Sequence, residues 1–149
     1  MSFPDASIDY RQHPECYRIG HGERGVFHVY PYKDELLPLW AIRNEIDAKE
    51  AIVDLYARYR DYRERGDFVG MDMARKYLQM GYTRARRYAR YSGGRKKDAD
   101  GRQRQPGNVD AEKARIAEYY HEMLDRVRDD KVYQRAKREY QRRLKSAKR

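Results

Sequence analysis

Any core this chain builds has to be made largely of tyrosine, because 15 Tyr stand against three Phe and one Trp. A buried tyrosine ring contributes apolar area, but its hydroxyl has to find water or a hydrogen-bond partner. Such a core suits a thin domain whose side chains stay near the surface. The 149 residues fit one domain, and a 40% apolar content supports one small core.

Helical periodicity organises most of that core. Asn44 is placed to cap a helix over 45–65, with Glu45 and Asp47 favourably near the positive end of its dipole. Ile52, Leu55, Tyr56, Tyr59 and Tyr62 follow the i, i+3, i+4, i+7 pattern, and Gly66 ends the run. Asp67 caps a second helix over 68–91, whose stripe of Met71, Ala74, Leu78, Gly81, Tyr82, Ala85 and Ala89 narrows to small residues. The tight connection makes the two an antiparallel hairpin. Asp110 caps a third helix carrying Ala114, Ala117, Tyr120, Leu124 and Val127. "RDDK" at 128–131 is a break point before Tyr133, Ala136, Tyr140 and Leu144.

The N-terminal third reads differently. Residues 17–19 and 26–30 have β-rich composition around "GHGERG" and predict a small hairpin. The expected fold is therefore α+β, mainly α: a helical hairpin, a C-terminal helix or helix pair over 110–147, and an N-terminal β-hairpin. Residues 1–12 and 145–149 are expected to be loosely ordered. Residues 92–109, with four glycines and one proline, predict a flexible polar loop.

Charge is distributed unevenly. Residues 1–72 hold 10 Lys/Arg and 14 Asp/Glu, whereas residues 73–97 hold nine Lys/Arg and no acid. Within that run stand Arg75, Lys76, Arg84, Arg86, Arg87, Arg90, Arg95, Lys96 and Lys97, with Tyr88 and Tyr91 threaded among the later cations. Ordinary solvated helix faces mix signs, because opposite charges at i,i+4 help and like charges cost about 0.2–0.5 kcal/mol. An acid-free run points to a polyanion. Arginine can fork onto two phosphate oxygens, and tyrosine can stack on a base. Two other readings use the same residues: pairing with the chain's own acidic half, and docking of an acidic protein or a second copy. Residues 131–149, nine Lys/Arg against one acid, offer a second phosphate contact.

Other motifs are weaker. "GHGERG" is literally G-x-G-x-x-G, but a strand-like segment follows it where a dinucleotide fingerprint needs a helix. His13, Cys16, His21 and His28 match no common zinc spacing, so no metal or other cofactor is expected. Glu23, His21 and His28 could do acid–base work beside the arginines, which keeps open a small enzyme acting on a phosphorylated or nucleic-acid substrate. No catalytic residue is assigned. A single cysteine excludes an internal disulfide. The start "MSFPDASIDYRQ" has no basic, apolar leader, and no apolar run nears the ~18 residues of a membrane span. These features predict a cytoplasmic protein with no membrane contact.

Two blocks, "YRIGHGERGVFHVYPYKDELLPLW" (17–40) and "DFVGMDMARKYLQMGYTRARRY" (67–88), resemble an uncharacterised family of small proteins from bacteria, archaea and phages. The resemblance spans roughly residues 8–145. It implies no activity and transfers no catalytic residue. The function expected from the residues is non-enzymatic binding of DNA or RNA through the phosphate backbone.

Overall fold

The computed structural model describes residues 3–20, 22–91, 99–102 and 110–147. Five α-helices stand among them: α1 (Tyr32–Leu36), α2 (Glu45–Glu64), α3 (Phe68–Arg90), α4 (Ala111–Arg128) and α5 (Lys131–Ala147). The three expected caps are made. Asn44 Oδ1 accepts from the Asp47 amide at 2.9 Å, Asp67 Oδ1 from Gly70 at 3.1 Å, and Asp110 Oδ1 from Lys113 at 3.1 Å.

Helix α3 is the centre of the molecule. It packs most extensively on α4 and next on α2, and it also touches α1 and α5. Its C-terminal half buries one stripe, including Gly81, Ala85 and Ala89. Its N-terminal half is buried on every side from Phe68 to Leu78. That full burial has a cost, because the buried surface includes Asp72, Arg75 and Lys76.

The expected N-terminal β-hairpin is not formed. The described residues contain no strand, only an isolated bridge between Asp9 and Tyr30. The reason is where the backbone carbonyls find their donors. Arg75 donates to the Gly22 carbonyl at 3.0 Å, Lys76 Nζ to that of Arg24 at 2.7 Å, and the Tyr77 hydroxyl to that of Val26 at 2.5 Å. Three successive α3 side chains thus take the alternate carbonyls that a partner strand would have used. Gly20, Gly22 and Gly25 turn the segment through positive φ, which breaks the extended run. The apolar residues that suggested a strand, Val26 and Val29, are buried in the core from turns.

Tyrosine fills the core as expected, and the buried hydroxyls are bonded. Tyr32 donates to Asp67 (2.7 Å), Tyr59 to Asp130 (2.7 Å), Tyr62 to Glu35 (2.7 Å) and Tyr120 to the Ala41 carbonyl (2.7 Å). Tyr140 donates to the carbonyls of Pro14 and Tyr17, which ties α5 to the N-terminal segment. Tyr10, inside the segment expected to be loosely ordered, is 1% exposed. The turn at 129–130 separates α4 from α5, as "RDDK" suggested.

Gly81 is where α3 and α4 meet most closely. A Cβ there would fall well inside contact distance of the Tyr120 ring, which is itself fully buried. Replacing Gly81 by Ala gains about 1 kcal/mol of helix propensity. Forcing atoms into a packed core costs about 1–3 kcal/mol or more, and the Tyr120 ring is held by its bond to Ala41. The clash dominates, so Gly81→Ala is expected to lower stability by about 1–2 kcal/mol in urea denaturation, despite the better helix former.

Candidate nucleic-acid interface

The acid-free run divides into two groups once folded. Arg75 and Lys76, both expected to touch phosphate, are 6% and 0% exposed. Arg75 donates through Nε and Nη2 to Asp72 Oδ1, at 3.0 and 2.9 Å. Tyr133 donates to the same oxygen at 2.6 Å, and Tyr17 donates to Asp72 Oδ2. Burial and the Asp72 carboxylate together push the Tyr17 hydroxyl far above its ordinary pKa.

Lys76 has no ion pair among the described residues. Its ammonium is held by the Arg24 carbonyl and lies 4.8 Å over the Tyr17 ring and 5.6 Å over that of Phe3. Burial pulls its pKa down to about 8.

The remaining described cations of the run lie on the last two turns of α3. At 100° per residue, Arg86 and Arg90 share one edge, Arg84 and Tyr88 the other, and Arg87 lies between them. Arg86 and Arg90 are exposed. Arg86 rests on the Tyr82 ring and donates to its hydroxyl at 3.0 Å. Neither Arg86 nor Arg90 forms an ion pair among the described residues. Arg84 lies over the rings of Phe27 (5.4 Å) and Trp40 (6.0 Å) and meets Glu23 at 3.5 Å. Tyr88 is 41% exposed, whereas Tyr91 is buried at 8%. Arg95, Lys96, Lys97 and His21 lie outside the described residues.

The acidic half does not cover this face. Several of its carboxylates are paired elsewhere: Glu35 with Arg11 (2.7 Å), Glu45 with Arg115 (2.8 Å) and Asp61 with Arg65 (3.1 Å). The Arg11 hydrogen bonds hold the Glu35 carboxyl below its ordinary pKa. Only Glu23 reaches an α3 outer arginine among the described residues.

Two cavities open beside α3. One, of about 540 Å³, is lined by Trp40, Ile42, Arg43, Arg84, Tyr88 and Lys113 among others. The second, of about 530 Å³, lies between Gly20, Gly22, Arg75, Arg128, Lys137 and Arg138, with no acid among its described lining. Arg128 also donates to Gln79, so this cavity continues the Arg86–Arg90 edge of α3 toward its N-terminus. The sequence reading missed Arg128, Lys137 and Arg138 as members of one site. The only signal for Lys137 and Arg138 was the basic bias of residues 131–149, Arg128 lies before that segment, and the alignment of all three with α3 is a matter of tertiary packing. Glu23 and His28 line neither cavity, and among the described residues no three His, Cys, Asp or Glu converge on a metal position. Among them, too, no helix is long and apolar enough to cross a membrane.

The chain belongs to the family described as Domain of unknown function (DUF4385), whose model matches residues 1–143. No curated protein and no solved structure matches it.

Lys76 supplies a check on the buried group. Its unfolded value is near 10.5. Between about pH 8 and 10.5 the unfolded chain therefore binds the extra proton, and stability rises with pH across that window. Relative to Lys76→Met, wild-type stability should rise by about 1 kcal/mol from pH 7 to 9 in urea titrations. Equal pH dependence in the two proteins would place the ammonium in water.

Proposed function

We propose that this protein binds DNA or RNA through the phosphate backbone, without catalysing a reaction, along a basic strip on α3, α4 and α5. The strip runs from Arg90 and Arg86 past Arg128 to Lys137 and Arg138. The observation that carries the reading is that these five cations have no ion pair among the described residues. Cations left unpaired by the fold keep their full charge for an outside anion, and a polarised field raises the encounter rate with one. Pairing with the chain's own acidic half is disfavoured, because Glu35, Asp47, Asp61 and Glu45 are engaged with Arg11, Arg43, Arg65 and Arg115, and among the described residues no acid of that half forms an ion pair with the strip.

Arg84 and Arg87 flank the strip. Arg95, Lys96 and Lys97 follow α3 in the chain and lie outside the described residues. Arg75 contributes to the second cavity's wall, while its main role is to pair with Asp72. Lys76 faces the loop carbonyl and leaves the strip. Backbone contacts of this kind give affinity that is nearly independent of base sequence.

The test is a fluorescence anisotropy titration with labelled single- and double-stranded DNA and RNA. Five phosphate contacts predict that affinity falls roughly 100- to 500-fold between 50 and 200 mM salt. The Arg86→Ala/Arg90→Ala variant should shorten the log–log salt slope by about 1.5 while folding normally. An absence of binding at 50 mM salt would sink the proposal.

A further inference from the structure

The strip does not account for the cavity on the opposite edge of α3. That cavity is walled by Trp40, Ile42 and the exposed ring of Tyr88, and its rim carries Arg43, Arg84 and Lys113, with no acid among its described lining. Aromatic and aliphatic walls under a cationic rim suit a flat apolar ring attached to an anion. An acidic peptide would use the rim and leave the aromatic floor unused.

Among the described residues, the buried side-chain N and O atoms without a hydrogen-bond partner are Glu23 Oε2, Trp40 Nε1 and Arg87 Nε. Of these, the one on the cavity wall is Trp40 Nε1; Glu23 and Arg87 stand outside its described lining. Glu23 and Trp40 both touch Arg84, and Arg87 stands one turn further along the same helix. Unsatisfied buried polar atoms are uncommon in folded proteins, and here they gather around one end of one helix. Lys113 holds the cavity's edge in place, with Nζ donating to the carbonyls of Ile42 and Arg43.

We infer that this cavity takes one unstacked nucleobase, held against Tyr88 and Trp40, so that the protein binds single-stranded nucleic acid in preference to duplex. The inference rests on the backbone-binding reading above and names its substrate class. A strand following Arg86 and Arg90 reaches the cavity by crossing the last turns of α3 over Arg87, a span of about 10 Å. A duplex holds its bases stacked and paired, and cannot place one there without being opened. Stacking on an aromatic wall tolerates any base, which agrees with recognition independent of sequence.

Trp40 is the chain's one tryptophan, so its fluorescence reports this cavity directly. Anisotropy of a labelled oligonucleotide reports binding to the protein as a whole. Single-stranded oligonucleotide should quench Trp40 with the same midpoint as the anisotropy change, and duplex of equal length should bind more weakly and leave Trp40 unquenched. Tyr88→Ala should weaken single-strand binding about tenfold, with little effect on duplex, and Tyr88→Phe should restore it because the ring is kept. Tyr88 is exposed, so circular dichroism should show both variants folded. Single strands that bind with Trp40 unaltered, or with Tyr88→Ala at wild-type affinity, would overturn the inference and leave backbone binding standing. Failure of every nucleic acid to bind would end both.

Discussion

One buried carboxylate holds the parts of this molecule together. Asp72, with no solvent exposure, accepts hydrogen bonds from Tyr17 in the N-terminal segment, Arg75 on its own helix and Tyr133 on α5. An ionised carboxylate is expensive to bury, and the cost is offset only when every acceptor position is filled by a good donor. That requirement fixes which elements must come together around the start of α3. Losing one partner leaves the others facing an uncompensated charge. The same region supplies the donors for the loop carbonyls of Gly22, Arg24 and Val26, so the N-terminal loop, α3 and α5 form one connected polar layer inside a tyrosine core.

That layer also sorts the cations. Arg75 is neutralised by Asp72, and Lys76 is confined against a carbonyl and two aromatic faces. Among the run's other described cations, Arg86 and Arg90 come to the surface on the last two turns of α3, while Arg84 still meets Glu23 and Phe27 of the N-terminal loop. Helices α4 and α5 then place Arg128, Lys137 and Arg138 in line with Arg86 and Arg90. The basic strip is thus a product of the fold as well as of composition.

Much of this was legible in the chain. The caps at Asn44, Asp67 and Asp110, the stripe leading to Gly81, the break near 129 and the use of tyrosine as core all follow from local chemistry and periodicity. The N-terminal hairpin was misread because β-rich composition around Val26 and Val29 is equally what a buried turn segment carries. Only the donors from Arg75, Lys76 and Tyr77, some 50 residues on in sequence, decide between them. Arg75 and Lys76 looked like surface cations because the acid-free run starts at residue 73, immediately after Asp72. The i,i+3 spacing of Asp72 and Arg75 was the available sign of pairing, but such pairs occur on solvated faces as well. Tyr88 and Tyr91 were indistinguishable by type. Tyr88 stands on the last turn of α3 with its ring exposed, whereas Tyr91 follows the end of the helix in extended backbone and its ring is buried.

The central claim is that the cations left unpaired by the fold meet a polyanion, while the buried ones do not. Nuclear magnetic resonance shift mapping during titration with a short oligonucleotide reads this residue by residue. The account predicts shifts at Arg86, Arg90, Arg128, Lys137 and Arg138, with Arg75 and Lys76 changing far less. Shifts confined to the α2 face, or none in the α3–α5 strip at saturating oligonucleotide, would contradict it.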